Sequence, residues 1–278
     1  MLIPFCGRYW SLYDTKFGRP VFISTNIGEH FVTKKIVEFK WFPGMSIGQK
    51  QKSIDSLHKM TRISIRDQRI LEISSKSMQP LGIKLSAFNL NITTKTGNST
   101  FSVESAYQAS KVFQNGGPYT DLLSKPSKEA KRDSRLKNSG PLKCYNFSKT
   151  YWSLYPPTLF YDWLYINALS KHKKLASEIT QYIAFTDIEF NPNRSVNCQA
   201  HSAALFVSLK NLGLLTAPLS SKNKFIELIL QSEGLDNSNI NNHSVDQSKF
   251  FPNGFSPSKK SSSETIKKPL TLWDLNPV

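Results

Sequence analysis

The stretch from residue 101 to 114 constrains the fold more than any other. Ser102 is a good helix N-cap, and Gly116-Gly117-Pro118 is a hard stop. Between them Val103, Ala106, Tyr107, Ser110 and Phe113 recur at helical spacing, which predicts an amphipathic helix with one side in a core. Glu104, Gln108 and Lys111 then fall at i, i+4 and i+7, a polar stripe beside the apolar side. A carboxylate and an ammonium within two turns can serve as general acid or base and as an anchor for an electrophile or a phosphate. An ordinary solvated helix face has the same spacing and accounts for most such patterns, so periodicity alone does not make this a site.

Around this segment the chain reads as a mixture of short strands and helices. Residues 1–18 form an irregular aromatic lead-in. Pro20-Val-Phe-Ile-Ser24 and Lys35-Ile-Val-Glu-Phe-Lys-Trp41 have strand character, and Pro43-Gly44 closes the second. A Lys- and Gln-rich helix is predicted from Ser46 to Met60, a short strand from Arg69 to Ser74, and a longer strand from Ile83 to Thr93 ended by Thr96-Gly97-Asn98. Residues 125–143 read as a basic, Ser-rich connection. Helices follow from Thr158 to Ser170 and from Lys174 to Ile183, with Ala184 to Phe190 extended. Asn191-Pro-Asn-Arg194 is a turn, and Ser195 or Asn197 caps a last helix that stops near Gly213. Beyond Ala217, Ser, Asn and Lys dominate. Apart from residues 225–230, apolar side chains there are too few to offset ordering entropy, so residues 218–278 are expected to be a mostly disordered basic tail. Its Leu270-Thr-Leu-Trp-Asp-Leu275 end is apolar enough to dock.

Charge bounds the partners. With 36 Lys and Arg against 20 Asp and Glu, the formal net charge is +16, which attracts polyanions, although a basic tail that serves only solubility would give the same excess. Cys6, Cys144 and Cys198 stand far apart without a CxxC or Cys/His pair, so neither a metal site nor a disulfide framework is expected. No run approaches a membrane span, and Met1 to Trp10 lacks the pattern of a secretory signal, so a cytoplasmic protein is expected. The absence of GxGxxG, Walker A, GxSxG and HExxH removes the usual support for redox, P-loop and zinc chemistry.

Three further groups of residues could carry chemistry. Arg194 and Asn197, at the start of the last helix, would suit a phosphate or pyrophosphate, or would simply form a capped Asn-Pro turn. Asp187 and Glu189 just before them could supply a second carboxylate. Lys131, Arg132 and Arg135 lie in the basic connection and could follow a nucleic-acid backbone or a pyrophosphate, and a solvated loop is equally consistent with them.

Several blocks occur in an order that resembles a known family. Phe101-Ser-Val-Glu-Ser-Ala-Tyr-Gln-Ala-Ser-Lys-Val-Phe113 resembles the signature helix of the NADAR (NAD and ADP-ribose) family. Glu129-Ala-Lys-Arg-Asp-Ser-Arg135 and Tyr161-Asp-Trp-Leu-Tyr-Ile-Asn-Ala-Leu169 resemble the blocks that follow, and Asn197 the closing one. Val37-Glu-Phe-Lys-Trp-Phe-Pro-Gly44, Gly116-Gly-Pro-Tyr-Thr-Asp-Leu122 and Ala184-Phe-Thr-Asp-Ile-Glu-Phe-Asn-Pro192 are similar to the branch encoded beside DarT-type toxins. The resemblance implies an α+β fold, mainly helical with a small N-terminal β portion, over residues 19–217, and no metal or cofactor. It implies an antitoxin glycosidase that removes ADP-ribose from guanine bases in DNA modified by a DarT-type toxin, with that toxin as a possible partner. In that chemistry Glu104 serves as acid/base or electrostatic stabiliser, and Lys111 as a Schiff-base nucleophile or a substrate holder. Gln108, Arg132, Asp187, Glu189, Arg194 and Asn197 hold substrate, and Lys131 and Arg135 meet the DNA. A non-enzymatic binder of modified DNA or of the toxin is the competing class. A small-molecule N-glycosidase is disfavoured by the basic surface and by Phe101-Ser102 and Ser105, where the wider family has Trp-Pro and His.

Overall fold

The computed structural model describes residues 16–25, 30–94, 99–192, 195–216 and 221–233. The lead-in before residue 16, the Thr96-Gly97-Asn98 turn, Arg194 and the tail beyond 233 lie outside the described residues. In chain order the elements are strands β1 (Lys16–Ser24) and β2 (Val32–Lys40), helix α1 (Ile47–Ile65), β3 (Ile70–Glu72), α2 (Pro80–Lys84), β4 (Asn91–Thr93), β5 (Thr100–Ser102), α3 (Val103–Ala109) and β6 (Lys111–Phe113). After a 3-10 turn (Thr120–Ser124) come α4 (Ser127–Arg132), α5 (Arg135–Asn138), β7 (Leu142–Phe147), β8 (Thr150–Trp152), α6 (Leu159–Lys171), α7 (Lys173–Glu178), β9 (Ala184–Thr186), α8 (Gln199–Asn211) and α9 (Lys222–Glu233).

A four-stranded mixed sheet in the order β2-β1-β9-β3 divides the interior in two. Its alternation decides which side chain goes where: Val21 enters a core with Val37, Phe39, Ile54 and Leu57 under α1, while the next residue, Phe22, enters the larger core of α6 and α8. Helix α1 forms because Ser46 Oγ accepts from Gln49 N–H and because Ile54, Leu57, His58 and Thr61 recur on one buried side. It runs to Ile65, a turn past the expected end, and stops where Arg66 adopts a left-handed φ of 56°. The α+β class holds. The strands, however, are not confined to an N-terminal portion: β4 pairs with β5, and β6-β7-β8 make a third sheet.

Three expectations change. Residues 83–93 do not form one strand; α2, with Pro80 in its first turn, precedes a tight turn in which Asn89 Nδ2 donates to Ile83 O and Ser86 Oγ, leaving only β4 extended. Local side-chain hydrogen bonds of this kind compete with a ladder. The helix expected to reach Gln114 ends at Ala109. Ser110 Oγ turns back to Ala106 O, Ser110 O accepts from Asn146 N–H, and Val112 and Phe113 pair with β7 instead. The β7–β8 hairpin was not anticipated, because its two-residue turn uses Ser148 and Lys149 at positive φ (47° and 62°) rather than the usual Asn-Gly.

The folded unit also extends past residue 217. In α9, Phe225 and Ile229 lie one turn apart and are buried in the same core as α6 and α8, and Leu230 beside them is also buried. Phe225→Ala is therefore expected to destabilise the protein by about 3 kcal/mol in urea unfolding, the usual cost of emptying a buried aromatic site.

Candidate active site

A cavity of about 810 Å³ opens between α3, β6, the start of α6 and the segment after β9. Helix α3 supplies Glu104, Tyr107 and Gln108 to its wall, and β6 supplies Lys111. The cap on α3 is local: Ser102 Oγ accepts from Ser105 N–H at 3.0 Å. All seven residues of α3 are buried, so its polar side chains face a cavity and not a solvated surface.

Glu104, 4% exposed, accepts a hydrogen bond from Gln108 Nε2 at 2.8 Å and lies 3.5 Å from the Lys131 ammonium. Lys131 in turn covers the Phe88 ring at 5.1 Å. The Lys111 nitrogen sits 4.8 Å from the Tyr107 ring centroid. Burial lowers the Lys111 amine to about 8; Lys131 acts in the same direction and Glu104 opposes it. Lys111 thus reaches the cavity from a strand and not as the third position of a helical stripe. Its placement is fixed by Gly117, which runs so close at φ 87° that a Cβ there would lie 2.3 Å from Lys111 O.

The second wall is built from the segment after β9 and the start of α8. Asn197 Nδ2 donates to the Tyr107 hydroxyl at 2.6 Å, and that hydroxyl lies 2.9 Å from Tyr145 OH. Asn197 is thereby a cavity residue, and Cys198, not Asn197 or Ser195, occupies the N-cap of α8. Asp187 and Glu189 both line the cavity but differ in setting. Glu189 is ion-paired with Lys50 at 3.2 Å and its side chain is 41% exposed. Asp187 is buried, and burial together with the neighbouring Glu72 pushes its carboxyl well above the usual carboxylate range.

The basic helices contribute less to the cavity. Lys131 lines it and Arg132 does not. Arg135 directs its guanidinium into Asp133 and Asp121, at 2.8 and 2.6 Å, and stacks on Tyr119 at 4.5 Å. Those acids occupy the fork that was expected to meet DNA. Sequence reasoning passed over Arg19, Trp41 and Lys50, which line the cavity together; Arg19 and Lys50 lie 5.5 and 5.0 Å from the Trp41 ring. A signal was available. Arg19 shares the core-directed face of β1 with Val21, and Lys50 precedes Ile54 by one turn on the buried side of α1. Arg19 Nε and Gln108 Oε1 are buried without a hydrogen-bond partner among the described residues, as polar groups that await a ligand would be.

Among the described residues no three His, Cys, Asp or Glu side chains converge as metal ligands, Cys144 and Cys198 are free thiols, and no helix is long and apolar enough to cross a membrane. A family model, DarT1-associated NADAR antitoxin, matches residues 17–239. The chain belongs to that family. No curated protein matches it. The match runs from the second residue of β1 through α9, and the family is one of antitoxins associated with DarT1.

The arrangement makes a prediction about Lys111. Its amine should titrate near 8 when followed by NMR after reductive methylation. Glu104→Gln removes a charge that favours the ammonium and should lower the midpoint further, whereas Lys131→Ala should raise it.

Proposed function

We propose that this NADAR antitoxin is an ADP-ribosyl glycosidase that removes ADP-ribose from guanine bases in DNA modified by a DarT-type toxin. The observation that carries the reading is the buried Glu104 carboxyl sharing a cavity with a lysine amine lowered to about 8. At that value a sizeable share of the amine is neutral and nucleophilic near physiological pH. The cavity volume, 810 Å³, falls within the range of about 300–1,000 Å³ that accommodates ligands of this size. Its aromatic surfaces (Trp41, Phe88, Tyr107) suit a nucleobase, and Arg19, Lys50 and Lys131 suit a pyrophosphate.

The bond to break joins the anomeric carbon of the distal ribose to a base nitrogen. In the reading we favour, the Lys111 amine adds to the anomeric carbon of the ring-opened ribose and displaces the base as its amine. The two protons that the lysine nitrogen loses match the two that the base nitrogen gains. Glu104 takes a proton from the lysine nitrogen during this exchange and offsets positive charge at the carbon. Water then hydrolyses the lysine imine, frees the amine and releases an aldehyde that closes to ADP-ribose. Gln108, bonded to Glu104, orients the carboxylate, and Asn197 holds the hydroxyl of Tyr107, whose ring lies against the Lys111 amine.

Purified protein incubated with a guanine-ADP-ribosylated oligonucleotide should release ADP-ribose, and Glu104→Gln should slow release by about 10²–10⁴-fold. Borohydride added during turnover should trap an adduct on Lys111 that is absent from Lys111→Arg. If Glu104→Gln and Lys111→Arg still protect cells from the toxin, the protein acts as a non-enzymatic binder and the glycosidase reading falls.

A further inference from the structure

Beneath the cavity wall lies a carboxyl that plays no part in the chemistry above. Glu72, 1% exposed, ends β3, and the parallel register of β3 with β9 sets it beside Thr186, the residue before Asp187. Its Oε1 accepts from Ile188 N–H at 2.8 Å and its Oε2 from the Thr186 hydroxyl at 2.6 Å. Thr186, whose hydroxyl donates to Glu72, accepts from His58 Nε2 at 2.9 Å. Burial drives His58 down to about 4, so the ring is neutral and carries its proton on Nε2 in this bond. The row of donors therefore runs one way, from α1 through β9 into Glu72.

We propose that Asp187 hands the proton to the leaving base and that Glu72, anchored by Thr186 and His58, is the positioning residue for that step. The proposal rests on the glycosidase reading above. Two buried carboxylates side by side repel, so the pair retains a proton; burial raises both, and Glu72, which takes hydrogen bonds from Ile188 N–H, Thr186 and Ser74 against two on Asp187, is the ionised member. The proton is left on Asp187, the member of the pair that lines the cavity. Two donors to Asp187 favour its charged form and act against burial and Glu72, which prevail. Gln199 Oε1 is fixed by Ala87 N–H at 2.7 Å, and the Gln199 side chain also hydrogen-bonds Asp187, as does Glu189 N–H at 3.0 Å. Tyr161 and Tyr165 from α6 and Cys198 beside α8 are all driven up by burial and stay neutral. Arg19 from β1 opposes the trend and Glu189 adds to it.

In the exchange, one lysine proton moves to the base nitrogen as the amine adds; a second passes to Glu104 while Asp187 gives one to the base nitrogen as its bond to carbon breaks. Hydrolysis reverses the transfers: one proton of the attacking water restores Asp187, its other proton goes to the lysine nitrogen, and the one on Glu104 returns to the same nitrogen.

The test uses the full chain and the pH profile of kcat for ADP-ribose release from the modified oligonucleotide, with carboxyl ¹³C NMR of the same proteins. Wild type should lose activity on the alkaline side as Asp187 ionises, and one Asp carboxyl should titrate well above the rest. Asp187→Asn should lose about 10²-fold or more in kcat and the high-titrating signal. Glu72→Gln removes the neighbouring charge and should move both the alkaline limb and the Asp187 signal down by roughly a unit or more. Thr186→Val, which keeps the packing volume and strips a donor from Glu72, moves the shared proton onto Glu72 and should shift both in the same direction. An alkaline limb and an Asp187 signal that stay put in both folded variants would overturn the proposal, as would full activity in Asp187→Asn. An inactive wild type sinks the glycosidase reading by itself; the NMR titration then still decides whether Glu72 holds the proton on Asp187.

Discussion

Helix α3 is seven residues long and has no exposed residue, and the rest of the site depends on how it is held. A helix of that length does not persist on its own propensity. Three segments hold it. Glu104 N–H donates to Ala87 O, Ser105 Oγ donates to Lys125 O, and Ser127 Oγ bridges the Ser102 cap to Phe88 O. These bonds bring the loop after α2, the approach to α4 and the end of β5 onto one short cylinder. Its Glu104, Tyr107 and Gln108 are thereby aimed into a cavity lined on its other side by the β9–α8 connection.

The charges in that cavity are balanced locally. Lys131 faces Glu104, Lys50 faces Glu189, and Arg19 feels Asp187. Such pairing keeps cations in a partly buried, aromatic-walled space at tolerable desolvation cost, and each cation can exchange its carboxylate for a phosphate oxygen of a ligand. The same walls account for the unusual acid–base properties. Lys111 is lowered and Asp187 raised chiefly by loss of water, in each case the direction that favours the neutral form. An amine and a carboxyl whose charged forms are both disfavoured thus share one cavity.

Parts of this were legible in the chain. Glu104 and Gln108 are four residues apart on a helix in both sequence and structure, and their side chains bond to each other. Lys111 lines the cavity, but from a strand and not from the helix its spacing suggested. A helix reaching Gln114 would need five more helical residues than the end at Ala109 gives, and β7 claims Val112 and Phe113 instead. Arg135 looked like a free cation because Asp133, two residues before it, and Asp121, fourteen residues before it, converge on its guanidinium only after folding.

By itself the sequence determined the local facts: the Ser102 cap, the buried side of α1, the apolar spacing of α3, the basic excess and the ordered blocks that mark the family. These depend on neighbours within a turn or two, or on composition. The tertiary structure decided which polar groups share one enclosed space. Arg19, Lys50, Asp187 and Asn197, with Glu72 beneath the wall, come from distant parts of the chain and meet through the β1–β9–β3 pairing and the packing of α1 and α8 on the two faces of that sheet. Burial is a property of that assembly, so the lowered lysine and the raised aspartate could be read only once the sheet had closed over them.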